Sequence, residues 1–130
     1  MINNLIGVKY KPHGRNLDGI DCYGLIIEVY KRLGVTLQDI EYEETDIKSN
    51  TYIDEVMRKT LPVEKIDKPE KYCIVELKVA GFPSHVGIYI GKGELLHADR
   101  KQGVVIEQLQ RWENRIAGFY RVKGGLQGQQ

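Results

Sequence analysis

The sequence predicts an α+β domain in which one amphipathic helix packs on an antiparallel sheet. Three observations carry that prediction. Apolar residues recur at helical spacing from Cys22 to Leu33. From residue 72 onward the period shifts toward two and β-branched residues dominate. Gly-containing turns separate several of the strand-like runs.

The elements follow in order. "KYKPHGRNLDG" clusters Pro, Gly, Asn and Asp as loops do. Cys22, Leu25, Ile26, Val29, Tyr30 and Leu33 then form one stripe of a helix about three turns long. Asp18 or Asp21 caps its start, and Gly34 follows its end. "TLQDIEYEETDIKSN" is acidic and weakly periodic, and reads as a surface excursion. Tyr52, Ile53, Val56, Met57 and Thr60 predict a second helix. "VEKIDKPEK" is charged, contains Pro69 and reads as a connector. Strands are predicted over 72–79, 84–90, 94–98, 103–107 and 117–122. Residues 1–123 read as one domain, and the polar, Gly-rich "GGLQGQQ" as a flexible tail.

A chain of 130 residues is long enough to bury a core. Its 42% hydrophobic and 28% charged fractions are ordinary for a soluble protein. A net charge of +1 gives no basic field for nucleic acid or an anionic membrane. No stretch approaches the ~20 apolar residues of a membrane span, and "MINNLIGVKYKPHG" lacks the features of a signal peptide. Two cysteines do not make a disulfide framework, although spacing leaves a single Cys22–Cys73 bridge open.

Cys22 reads in two ways. It is either a small apolar filler beneath the helix or a nucleophile at the helix start. The histidines bear on the choice. His85 opens the strand "SHVGIYI", and His97 ends the next, "ELLHAD". With a three-residue Gly91-Lys92-Gly93 loop, Ile90 pairs with Glu94 and Gly87 with His97. His85 and His97 then share a face as diagonal neighbours, while Val86, Ile88 and Ile90 face the core. A two-residue loop would put the histidines on opposite faces. Gly87 leaves open space beside His85. A thiol near pKa ~8.5 needs help to ionise, and a helix N-terminus and a nearby imidazolium both supply it. Cys22, His85 and His97 thus read as nucleophile, base and orienting group. The same three side chains form a zinc set only weakly, since their spacing matches no compact motif and a fourth ligand is missing; no metal or cofactor is expected. Cys73, in an apolar strand, reads as core. His13, in a Pro/Gly loop, reads as solvated or lining the site.

Two blocks resemble a known family. "LIGVKYKPHGRNLDGIDCYGLIIEVYKRLGV" resembles the first catalytic block of the NlpC/P60 cysteine peptidases, where Asp-Cys-x-Gly-Leu opens a helix. "SHVGIYIGKGELLHA" resembles the second. Together they cover about a third of the chain. The closing "GVVIEQLQRWENRIAGFYRV" is similar to the end of short members carried by tailed phages and prophages. The resemblance implies a papain-like fold, a helix bearing the Cys against a sheet bearing the His residues. It implies hydrolysis of a peptidoglycan stem-peptide amide, such as D-γ-glutamyl to a diamino acid. It makes Cys22 the nucleophile, His85 the base and His97 the orienting residue. Tyr10 matches the Tyr whose hydroxyl lies near the nucleophile. Asp21 matches the acidic residue that helps recognise the stem peptide. Tyr23 stands where Ser is common, which would reshape the substrate groove. "KPEKYCIV" replaces the usual Pro-Gly-Asp turn.

By the same resemblance the partners are a stem peptide and phage tail-tip proteins. The site of action is the cell wall, reached from a virion tail or from the producing cell's cytoplasm before assembly. Two other functions remain open at this level. One is an assembly protein that kept the fold and lost turnover, motivated by Tyr23 and the altered turn. The other is transfer or amidase chemistry on a different acyl substrate.

Overall fold

The computed structural model describes residues 1–42 and 57–123. The chain opens with a short 3-10 turn, Asn3–Leu5, and a small hairpin of β1 (Arg15–Asn16) and β2 (Gly19–Ile20). Helix α1 (Cys22–Arg32) follows. Then come β3 (Val63–Ile66), β4 (Ile74–Val79), β5 (Phe82–Gly91), β6 (Glu94–Asp99), β7 (Gly103–Gln108), a 3-10 segment over Leu109–Arg115, and β8 (Ile116–Val122). Strands β3 to β8 form one antiparallel sheet in the order β3-β8-β4-β5-β6-β7. The α+β class read from the sequence is the class observed.

The sequence sets both ends of α1. Asp21 caps it, its carboxylate accepting the Gly24 amide at 2.8 Å. At the other end the Gly34 amide donates to Lys31 and the Val35 amide to Tyr30. Gly34 sits at φ +88°, where a side chain is disfavoured, and this closes the helix as a Schellman motif.

Strand alternation divides the core between the two faces of the sheet. On one face Val86, Ile88, Leu96, Ala98 and Val104 pack with Leu25, Ile26, Val29 and Tyr30 of α1. On the other, Cys73, Val75, Leu77 and Leu95 pack with Trp112. Burial pushes the Cys73 thiol up to about 11, the state of an inert core cysteine. No disulfide joins Cys22 to Cys73. Among the described residues no helix is long and apolar enough to cross a membrane.

Two expectations change. The connector at 63–71 contains β3, which pairs with β8 from Val63↔Val122 to Ile66↔Phe119. It is an edge strand with Glu64 and Lys65 exposed, and those charges, common on edges, mask the strand pattern. The supposed surface excursion begins with buried side chains, since Leu37, Ile40 and Tyr42 pack into the α1 core. Their spacing follows neither strand nor helix period, because the segment is irregular. The second helix falls largely outside the described residues; its last positions, 57–60, are helical. The Gly-rich 124–130 stretch also lies outside them.

The β5–β6 hairpin is built differently from the three-residue loop. Gly91 pairs with Glu94, so the turn is the two residues Lys92-Gly93, both at positive φ (53° and 75°). Farther in, Tyr89 pairs with Leu95 and Ile88 with Leu96. Ile90 is an extra residue on β5, a bulge. A two-residue turn alone would have split the histidines between faces. The bulge at Ile90 restores the parity, and both imidazoles emerge on the Trp112 side.

Candidate active site

His85 lies near the start of β5 and His97 near the end of β6. Their rings meet with His85 Nε2 2.9 Å from His97 Nδ1. That contact occupies one nitrogen of His85 and leaves Nδ1 for other chemistry. His97 is 1% exposed, and its Nε2 lies 2.5 Å from Glu107 Oε1. Trp112 donates its indole N–H to the same oxygen at 3.3 Å. Its ring stacks over His85 at 6.1 Å between centroids and meets His97 edge-on at 5.4 Å. Glu107 therefore ends a chain of carboxylate, imidazole and imidazole beneath an indole lid.

Gly87 makes this packing possible. A Cβ there would stand 2.9 Å from Leu95 Cδ1, 3.0 Å from the Leu96 carbonyl oxygen and 3.1 Å from His97 Cβ. Gly87→Ala is expected to displace His97 and disturb its contact with His85. Nitrogen-15 NMR of the histidine rings beside a thermal melt checks this, and unchanged ring signals in a folded variant count against it.

Burial first, and the neighbouring His97 second, push the His85 imidazole down to about 3. Asp99 opposes that shift and Arg100 adds to it. An imidazole lowered this far is neutral at neutral pH. Burial raises the Glu107 carboxyl, but the hydrogen bonds from His97 and Trp112 outweigh it and hold the group below the usual carboxylate range. A cleft of about 400 Å³ reaches His85, with Asp99, Arg100, Glu107, Trp112 and Arg115 in its walls.

Cys22 is the first residue of α1 and is 1% exposed. Helix α1 packs against β5 and β6, the strands that carry both histidines. Tyr10 is half-buried and forms a parallel bridge with Ile20, two residues before Cys22. The Arg100 guanidinium lies over the Tyr10 ring, 5.5 Å from its centroid.

Asp21 and Tyr23 take different places from those the resemblance implies. Asp21 has no exposed surface. Its Oδ1 accepts from Gly24 N and from Arg15 Nη1, both at 2.8 Å. Its Oδ2 accepts from His13 N at 2.9 Å and from the Tyr42 hydroxyl. Four internal donors converge on this carboxylate, which ties the start of α1 to the 13–15 and 37–42 segments. Tyr23 is also fully buried, and its hydroxyl donates to the Gln38 carbonyl at 2.7 Å. It holds the 37–42 segment against α1 and does not line a groove. His13 is exposed and stacks on the Tyr42 ring at 4.8 Å. Among the described residues no group of His, Cys, Asp and Glu is arranged to hold a metal ion.

Sequence reasoning missed Glu107, Trp112, Arg15 and Tyr42. Parity held a signal for Glu107, because the register His97↔Val105 and Leu95↔Glu107 puts it diagonal to His97 on the same face. Arg15 and Tyr42 carried no local signal, since the segments that bring them to Asp21 are irregular.

The sequence profile of the NlpC/P60 family matches residues 7–121. The chain belongs to the NlpC/P60 family. It is 28% identical over 119 residues to the murein DD-endopeptidase MepS/murein LD-carboxypeptidase of Escherichia coli K12, a match covering 89% of this chain and 56% of that one. The chain thus spans about half the length of the curated relatives it matches. Solved NlpC/P60 structures share the fold. A Bacillus cereus family protein superposes with a TM-score of 0.64 at 24% identity, covering 91% of this chain and 36% of its own. The NlpC/p60 domain of the peptidoglycan hydrolase SagA gives 0.61 at 19% identity, covering 93% and 91%. NlpC2 from Trichomonas vaginalis gives 0.69 at 18%, covering 93% and 44%.

Proposed function

We propose that this NlpC/P60 protein is a cysteine peptidase that hydrolyses an amide bond of the peptidoglycan stem peptide, such as D-γ-glutamyl to a diamino acid. The observation that carries the reading is the buried His85–His97 pair on the strands crossed by α1, whose first residue is Cys22. Family membership and the murein endopeptidase among the relatives support the substrate class.

In this reading Cys22 Sγ attacks the amide carbonyl carbon while its proton passes to His85 Nδ1. Backbone amides of the first turn of α1 stabilise the oxyanion, with Tyr10 close by. The C–N bond breaks as His85 returns the proton to the leaving amine, and a thioester remains. Water, deprotonated by His85, attacks the thioester and releases the acid and the free thiol. Tyr23, one of the two features that motivated the inactive alternative, is buried and bonded to Gln38. We further propose action as part of a phage or prophage tail with tail-tip partners. Support for that comes from the resemblance of the closing segment, where Trp112, Arg115, Ile116 and the Gly118–Arg121 run recur in order.

Digestion of purified murein followed by mass analysis of the fragments tests the activity. Wild-type protein is expected to release fragments cut within the stem peptide, and Cys22→Ala none. No fragments from wild type, or equal release by the variant, overturns the reading.

A further inference from the structure

We propose that Glu107 is a positioning residue that fixes the tautomers of both histidines and so decides which His85 nitrogen meets the thiol. The catalytic consequence rests on the peptidase reading above. The tautomers rest on the hydrogen-bond geometry, with Glu107 ionised and His97 neutral.

Glu107 is held ionised by its own hydrogen bonds, so it only accepts. The indole N–H of Trp112 only donates, and it points at Oε1. The His97 Nε2 at 2.5 Å from that oxygen must therefore carry hydrogen. A neutral imidazole has one donor and one acceptor, so His97 Nδ1 is the acceptor. His85 Nε2, 2.9 Å away, must then donate to it. The lone pair of His85 is left on Nδ1. Without Glu107, the two neutral imidazoles can share their hydrogen in either direction, and one direction leaves His85 with an N–H where a base is needed.

The setting makes Glu107 more than a surface carboxylate. Trp112 covers both imidazoles, and the Arg115 guanidinium lies on the indole at 4.1 Å. The chain thus runs from a carboxylate whose side chain is 24% exposed into two buried imidazoles, where hydrogen bonds are polarised strongly. Arg111 Nη1 approaches the other carboxylate oxygen, Oε2, at 3.7 Å, which leaves Oε1 to His97 and Trp112.

Nitrogen-15 NMR of the histidine rings in the substrate-free protein tests the tautomers directly. In wild type, Nε2 of both His97 and His85 is expected to bear hydrogen, and Nδ1 of both is expected to be bare. Any other pattern, including a doubly protonated His97, overturns the proposal. Two variants extend the test. In Glu107→Gln the Trp112 N–H keeps the amide oxygen toward His97, so the tautomers persist and only the charge is lost. There kcat is expected to fall about tenfold with KM unchanged. In Glu107→Ala the ring signals are expected to show mixed tautomers, and kcat to fall about 100-fold. Wild-type tautomers in Glu107→Ala, or kcat within twofold of wild type in both variants, overturn the proposal. If the alanine variant does not fold, the wild-type pattern and the glutamine variant decide. A correct ring pattern in a protein that cuts no murein refutes the peptidase reading and leaves the tautomer assignment standing.

Discussion

Asp21→Ala is expected to remove about 3–5 kcal/mol of folding stability, a large part of the 5–15 kcal/mol that holds a typical domain. Asp21 is fully buried, and four donors from three separate stretches of chain converge on it. Deleting the carboxylate strands the Gly24 and His13 amides and the Tyr42 hydroxyl, and each buried unsatisfied donor costs about 1–3 kcal/mol. It also breaks a pair with Arg15, which keeps Asp39 through Nε at 3.1 Å and Nη2 at 3.0 Å. That second partner limits the loss, so the terms do not simply add. Asp21→Asn tests the account more sharply. One amide face would meet donors with donors, and most of the loss should remain. Urea unfolding measures both variants. A loss under about 1 kcal/mol for Asp21→Asn would show that the convergence on Asp21 contributes little. A folded, fully stable Asp21 variant with a raised KM would instead restore the substrate-recognition role.

Features set by local period were legible. The stripe from Cys22 to Leu33 gave α1, and two-residue alternation gave β4 to β8, because each element buries a face that the spacing encodes. The meeting of His85 and His97 was also legible, because strand parity carries over distance. The route to it was not. Ile90 looks like any core residue of a strand, and nothing in "GIYIGKGELL" marks it as a bulge. Features that depend on irregular chain were hidden. Arg15 and Tyr42 gather on Asp21, and Asp39 on Arg15, from a hairpin and a coil whose paths no periodicity describes. A family motif names the position of Asp21 but not its partners, and here the partners decide what the carboxylate does. Tyr23 illustrates the same point. A large aromatic in place of a small residue suggested a filled groove, yet the ring turns inward to hold Gln38.

His85→Ala is expected to lower kcat/KM by about 10⁴-fold or more, the scale seen when a catalytic base is removed, and to change how the protein responds to acid. The two effects have one cause. Burial, then the adjacent His97, hold the imidazole at about 3 in the folded protein, whereas an unfolded histidine titrates near ~6.5. Between those values the unfolded chain binds more protons than the folded one. Stability is therefore complete above about 6.5 and is lost as pH falls through that window. In the proposed mechanism the same depression keeps His85 neutral and able to take the thiol proton in mildly acidic solution. Its own ionisation should therefore not cut kcat/KM near 6.5, where an ordinary histidine base would. Urea midpoints at pH 7 and pH 5 separate this from other acid effects, since Asp99 and Glu107 are already ionised at both. The wild-type midpoint is expected to drop between the two, and the His85→Ala midpoint to drop less. Equal drops in both proteins would place the acid sensitivity elsewhere. An activity profile that falls with an apparent pKa of about 6.5 would mean that His85 is solvated when it works, and that the Trp112 lid lifts during turnover.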